Sequence, residues 1–79
     1  MRNLEKYNKA FTETFDINDE QLGEELQYQS IIAWDSVGHM SLIAALEDSF
    51  DIMMETDDII DFASYEIGKG ILKKYSIDL

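Results

Sequence analysis

The 79-residue chain has no cysteine and no proline, and only four glycines, six basic residues and one histidine. Without cysteine there is no disulfide scaffold, thiolate metal site or cysteine nucleophile. The lack of proline and scarcity of glycine suit a mostly helical chain with few forced turns. Six bases against 17 acids leave a formal net charge of −11. Nucleic acid and anionic membrane are disfavoured as partners, because both repel a polyanion. The same charge favours partners with Lys/Arg patches and fast, salt-sensitive encounters, although it also serves solubility. No segment reaches membrane-spanning length, so membrane insertion is not expected. The stretch Met1-Arg2-Asn3-Leu4-Glu5-Lys6 lacks the apolar run of a secretory signal. A cytoplasmic monomer is the expectation.

Apolar residues are 46% of the chain, enough for a folded protein. The length allows a single domain over residues 1–79 with one modest core and little room for a deep catalytic cavity.

Apolar periodicity predicts four helices. The first runs from about Asn3 to Phe15, with Leu4, Tyr7, Phe11 and Phe15 on one stripe. Residues 16–35 lose the pattern and read as a long ordered loop, pinned by Leu22, Leu26, Tyr28, Ile31 and Ile32 and containing at most a short helical turn. Twenty residues is long for such a connection, which points to packing or functional duties. The second helix starts at Ser36 as N-cap and runs to about Phe50. A short third helix spans about Asp57 to Phe62, capped by Thr56, with Asp57 and Asp58 suited to its first turn. The last helix runs from Ser64 or Tyr65 to Tyr75 and buries Ile67, Ile71, Leu72 and Tyr75. Lys73 and Lys74 complement its C-terminal dipole, while Gly68 and Gly70 weaken it.

The second helix is apolar on two sides. Leu42, Ile43, Leu46 and Phe50 cluster on one, and Val37, Met40 and Ala44 on roughly the opposite one. The loop could cover the second side. Otherwise it is a contact patch rimmed by Glu47 and Asp48, with Met40 as an adaptable element.

Few residues offer chemistry. Asp16-Ile17-Asn18-Asp19-Glu20 fails as a calcium loop, because Gln21 and Gln27 stand where glycine and glutamate are required. Asp57, Asp58 and Asp61 read as helix-terminus and surface charge, so no metal site is expected. Ser36 and His39 lie one turn apart, but a hydrolase also needs an orienting third group and an oxyanion hole. His39 therefore reads as structural or surface, and Trp34 as the anchor of the loop end. No catalytic residue is assigned. Ser36 remains. It opens a helix beside Asp35, at the positive end of a dipole that would stabilise a phosphate ester.

Helix order, length, charge and the segment WDSVGHMSLIAALEDSF, continuing as DIMMETDDII, resemble the acyl carrier proteins over nearly the whole chain. Asp35-Ser36-Val37 stands where that family has Asp-Ser-Leu. The resemblance implies an all-α four-helix bundle with a short third helix. It also implies that Ser36 carries 4′-phosphopantetheine through a phosphodiester, installed from coenzyme A by a phosphopantetheinyl transferase. The arm's thiol would hold acyl intermediates as thioesters for acyl-loading and acyl-transferring enzymes with basic docking patches. The chain itself would catalyse nothing. By the same resemblance Asp35 assists transferase recognition, and Val37, Met40, Ala44, Glu47 and Asp48 form the partner-facing side. Gly38 and Ser41 replace acids usual in fatty-acid-synthesis members. The pathway implied is fatty-acid-like, as in fatty acid biosynthesis, or a specialised one with a polyketide, modified-lipid, sugar-acyl or aminoacyl product; the two lost acids favour the specialised reading. The alternative is a non-enzymatic helical adaptor of carrier-like fold with no prosthetic group.

Overall fold

The computed structural model describes residues 2–79 and contains, among them, four α-helices and no strand. They are α1 (Asn3–Phe15), α2 (Ser36–Phe50), α3 (Thr56–Asp61) and α4 (Tyr65–Lys73), with a 3-10 turn at Asp19–Gln21 in the long loop. None is long and apolar enough to cross a membrane. The chain forms a small helical bundle in which α1 and α2 make the most extensive helix–helix contact.

That contact follows from the stripes on the two helices. Tyr7, Ala10, Phe11 and Phe15 of α1 meet Leu42, Ile43 and Leu46 of α2 in a core that also holds Trp34, Phe62, Tyr65, Ile71 and Leu72. Phe11 lies at its centre, packed by ring contacts with Tyr7, Phe15, Trp34, Phe62 and Tyr65. The Tyr7 hydroxyl is satisfied by the Tyr65 carbonyl at 2.5 Å, and burial pushes this phenol well above its ordinary range. The Tyr65 hydroxyl donates to Asn8 in return.

Several expected details differ. Leu4 begins the α1 stripe but is exposed, as is Ile67 on α4. Phe50 and Tyr75 are only half-buried. Thr56 is the first residue of α3 rather than its cap; Glu55 precedes the helix with no side-chain capping bond. Helix α4 stops at Lys73, two residues early, because the chain leaves it through tight turns that bring Tyr75 to α3. Its N-cap is Ser64, whose hydroxyl accepts from the Ile67 N–H. Gly68 has a structural role: a Cβ there would overlap the Phe62 ring and the Tyr7 hydroxyl, so its bareness permits α4 to pack closely.

The scarcity of glycine has a local consequence. The left-handed positions are Asp16, Gln29, Asp51 and Ser76, with Asp16 and Asp51 ending α1 and α2. Such a conformation costs a non-glycine residue roughly 1–2 kcal/mol, least for Asp, whose short polar chain bonds locally.

The long loop is pinned by Leu26 and Trp34, with Leu22 and Ile31 half-buried against the core. Ile32 does not contribute, being 97% exposed, and Tyr28, 37% exposed, packs on His39 rather than in the core. Backbone pairing supplies the rest. Tyr28 N–H donates to the Ala63 carbonyl and Tyr65 N–H to the Leu26 carbonyl, each at 2.9 Å. This isolated antiparallel bridge fastens the loop to the α3–α4 connection.

Candidate functional site

The start of α2 is built by Asp35. Its extended backbone leaves the carboxylate free to accept the Gly38 N–H at 2.8 Å, and its carbonyl accepts the His39 N–H at 2.7 Å. Asp35, not Ser36, is therefore the N-cap. The expectation reversed these roles because both residue types cap well; the shorter serine occupies the first helical position. Its hydroxyl is thus released from capping. It is exposed, and its only hydrogen-bond partner among the described residues is the Tyr28 hydroxyl, at 3.1 Å.

Behind the serine, His39 ties three elements together. The buried Trp34 indole donates from Nε1 to His39 Nδ1 at 3.0 Å, and His39 Nε2 lies 2.8 Å from the Ile59 carbonyl. An indole N–H can only donate, so Nδ1 is the acceptor and Nε2 carries the proton given to Ile59. The imidazole is consumed between loop, α2 and α3. It has no free lone pair for Ser36, and no Ser–His dyad forms. The imidazole and indole rings are within 14° of parallel, their centroids 6.3 Å apart, as an edge-to-edge hydrogen bond between them requires.

On the other side, α3 is held by Asp58. Its carboxylate accepts Lys74 Nζ at 2.9 Å and the Tyr75 hydroxyl at 2.5 Å, and Tyr75 also accepts the Glu55 N–H at 2.9 Å. The Tyr75 bond first, then the Lys74 bond, holds the Asp58 carboxyl below the usual carboxylate range. The same ion pair raises Lys74. So Asp58 is a fastening, whereas Asp57 and Asp61 stay at the surface. Among the described residues, no cluster of three His, Asp or Glu side chains could hold a metal ion.

Between these two fastenings, α2 and α3 leave an open groove of about 340 Å³ beside Ser36. Tyr28, Ser36, His39 and Met40 form one wall; Ile59, Ile60, Phe62 and Ala63 form the other. The lining is predominantly apolar, which suits an aliphatic group better than an ionic one.

The expected partner-facing residues are placed unevenly. Val37 is 75% exposed and Met40 52%, and Ala44 is exposed with them. The loop does not cover this side of α2. Glu47 is half-buried and turned inward, its Oε2 accepting the Met54 N–H at 2.8 Å. Asp48 is exposed but lines a separate shallow groove toward Lys6 and Lys9 of α1. Exposed Ile32 and Ile60, at 97% and 71%, lie on the loop and α3 that flank the α2 start. The absence of an acid at Gly38 has a cause within the chain: a Cβ there would overlap the Ala33 carbonyl oxygen. Ser41 is exposed and under no such constraint.

The sequence marked Tyr28 only as a pin of the loop, not as a neighbour of Ser36, and did not mark the groove wall from α3. Tyr28 lies in an aperiodic loop and reaches Ser36 only through the bridge to Ala63. The Ile59–Ile60 pair on the short, acidic α3 was the available signal for the wall; in the fold Ile59 is half-buried and Ile60 71% exposed. No family model matches the chain, and no curated protein and no solved structure matches it.

Proposed function

We propose that this chain is an acyl carrier protein, in which Ser36 bears 4′-phosphopantetheine and presents thioester-bound intermediates to partner enzymes. One observation carries the reading. The Ser36 hydroxyl is exposed on the first turn of α2, relieved of capping by Asp35, and opens onto an apolar groove. The resemblance of the segment from Trp34 to Phe50 to acyl carrier proteins supports it.

The residues fit the group. On loading, Ser36 Oγ attacks the pantetheine-bearing phosphorus of coenzyme A. A P–O bond to Oγ forms and the pyrophosphate P–O bond breaks. Adenosine 3′,5′-bisphosphate leaves, and the hydroxyl proton passes to a base of the transferase. When bound, the arm supplies a thiol that holds an acyl group. Asp35 keeps the helix start rigid, and Val37, Met40 and Ala44 offer an apolar docking face to enzymes with basic rims. The tether raises the local concentration of the intermediate at each active site. The chain performs no chemistry on the acyl group.

Of the two missing acids, Gly38 is dictated by the Ala33 contact, so Ser41 carries the case for altered docking. A less acidic face suits partners of a specialised pathway better than general fatty-acid enzymes.

Incubation with coenzyme A and a broad-specificity transferase tests the proposal. Intact mass should show one phosphopantetheine adduct on the wild type and none on Ser36→Ala. A wild type that stays unmodified under conditions that load a control carrier would favour the adaptor alternative.

A further inference from the structure

We infer that Tyr28 is a positioning residue for the arm on Ser36: its phenol donates a hydrogen bond to the phosphodiester and holds it at the mouth of the apolar groove. This rests on the phosphopantetheine reading of Ser36.

The backbone at Tyr28 is held, and its ring is packed. Its backbone N–H is bonded to the Ala63 carbonyl, and the next residue, Gln29, turns through φ 67 with its N–H on the Trp34 carbonyl at 2.9 Å. The ring stands edge-on to His39, with centroids 5.6 Å apart and planes at 80°. His39 cannot swing away without giving up Trp34 and Ile59. The phenol oxygen is thereby placed 3.1 Å from Ser36 Oγ.

Esterification changes what this contact can be. Between two hydroxyls, either oxygen can donate. Once Oγ is esterified, the phenol holds the only remaining proton of the pair. Its natural acceptors are the ester oxygen and the anionic phosphate oxygens two bonds farther on, and a hydrogen bond to an ionised acceptor is the stronger kind.

The charge distribution makes this donor matter. The six basic residues are Arg2, Lys6, Lys9, Lys69, Lys73 and Lys74, so the loop, α2 and α3 contain none. The elements around Ser36 therefore bring no cation of their own to a phosphate. Tyr28 supplies a neutral donor in its place. It leaves the apolar docking face without a charge that would repel a basic partner.

The test uses the full chain loaded from coenzyme A, as wild type and as Tyr28→Phe, which keeps the ring against His39. Phosphorus NMR reads the phosphodiester directly. The resonance is expected to shift in Tyr28→Phe toward its position in the loaded, urea-unfolded protein. Nuclear Overhauser contacts between the Tyr28 ring and the arm's geminal methyl groups are expected in the wild type and lost in the variant. Coincident phosphorus resonances in the two folded proteins would overturn the inference while leaving the loaded Ser36 intact. An unloaded wild type would instead defeat the underlying reading. Should circular dichroism show Tyr28→Phe unfolded, the wild-type contacts decide: their absence overturns the inference.

Discussion

Gly38→Ala should destabilise the protein, although alanine is the better helix former. Gly38 is the third residue of α2, and a Cβ there overlaps the Ala33 carbonyl oxygen and comes within 3.3 Å of the Asp35 carboxylate. The obstruction is backbone, so relief requires moving the loop end that carries Trp34. Overpacking of this kind costs about 1–3 kcal/mol, and the gain in helix propensity returns at most about 1 kcal/mol. With a rigid neighbour the upper half of the cost applies, and the net loss is about 1–2 kcal/mol. Gly70 is the control: it is exposed within α4, with nothing within 4 Å of its would-be Cβ. Gly70→Ala should gain about 0.5–1 kcal/mol. In a domain of this size 1 kcal/mol moves Tm by about 4–8 °C. Thermal melts followed by circular dichroism should therefore move in opposite directions for the two variants. A Gly38→Ala melt raised as much as that of Gly70→Ala would refute the Ala33 contact. Gly38→Asp, which restores the acid common in fatty-acid carriers, should be destabilised at least as much as Gly38→Ala.

Other outcomes follow from the site. Asp35→Ala should cost about 0.5–2 kcal/mol as a lost cap, whereas Ser36→Ala should stay within about 0.5 kcal/mol; urea titration of both checks the reassignment. His39→Ala should cost about 1–3 kcal/mol by stranding the buried Trp34 donor, and Trp34 emission of the folded variant should differ from wild type. For Asp58 the folded carboxyl lies below its ordinary value, so its stabilisation is present above the unfolded pKa of about 3.9 and fades as pH falls through the folded value. The gap in Tm between wild type and Asp58→Asn should hold from pH 7 down to about pH 5 and narrow below pH 4. A gap unchanged at pH 2 would contradict the Tyr75 and Lys74 fastening.

How much of this was legible in the sequence depended on range. The bounds of α1 and α2 were readable because Tyr7, Phe11 and Phe15, and Leu42, Ile43 and Leu46, repeat at helical spacing and are all buried. The long loop was readable as a break in that pattern, with Trp34 as its anchor. Stripe margins were not: Leu4 and Ile67 satisfy the period but are exposed, Ile67 at the edge of the face that buries Tyr65, Gly68, Ile71 and Leu72. The exchange of roles between Asp35 and Ser36 turned on one backbone rotation that two adjacent capping residues leave undecided. Nor does spacing reveal contacts between distant segments. The bridge from Tyr28 to Ala63 and the tie from His39 to Ile59 place Tyr28 beside Ser36 and define the groove, and neither carries a local signal.

The most direct measurement is the mass of the peptide containing Ser36 in protein isolated from the cells that make it, before and after neutral hydroxylamine. The expected result is phosphopantetheine on Ser36 carrying a group that hydroxylamine releases, as a thioester requires. A bare Ser36, or a modification placed on any other residue, would contradict the carrier role.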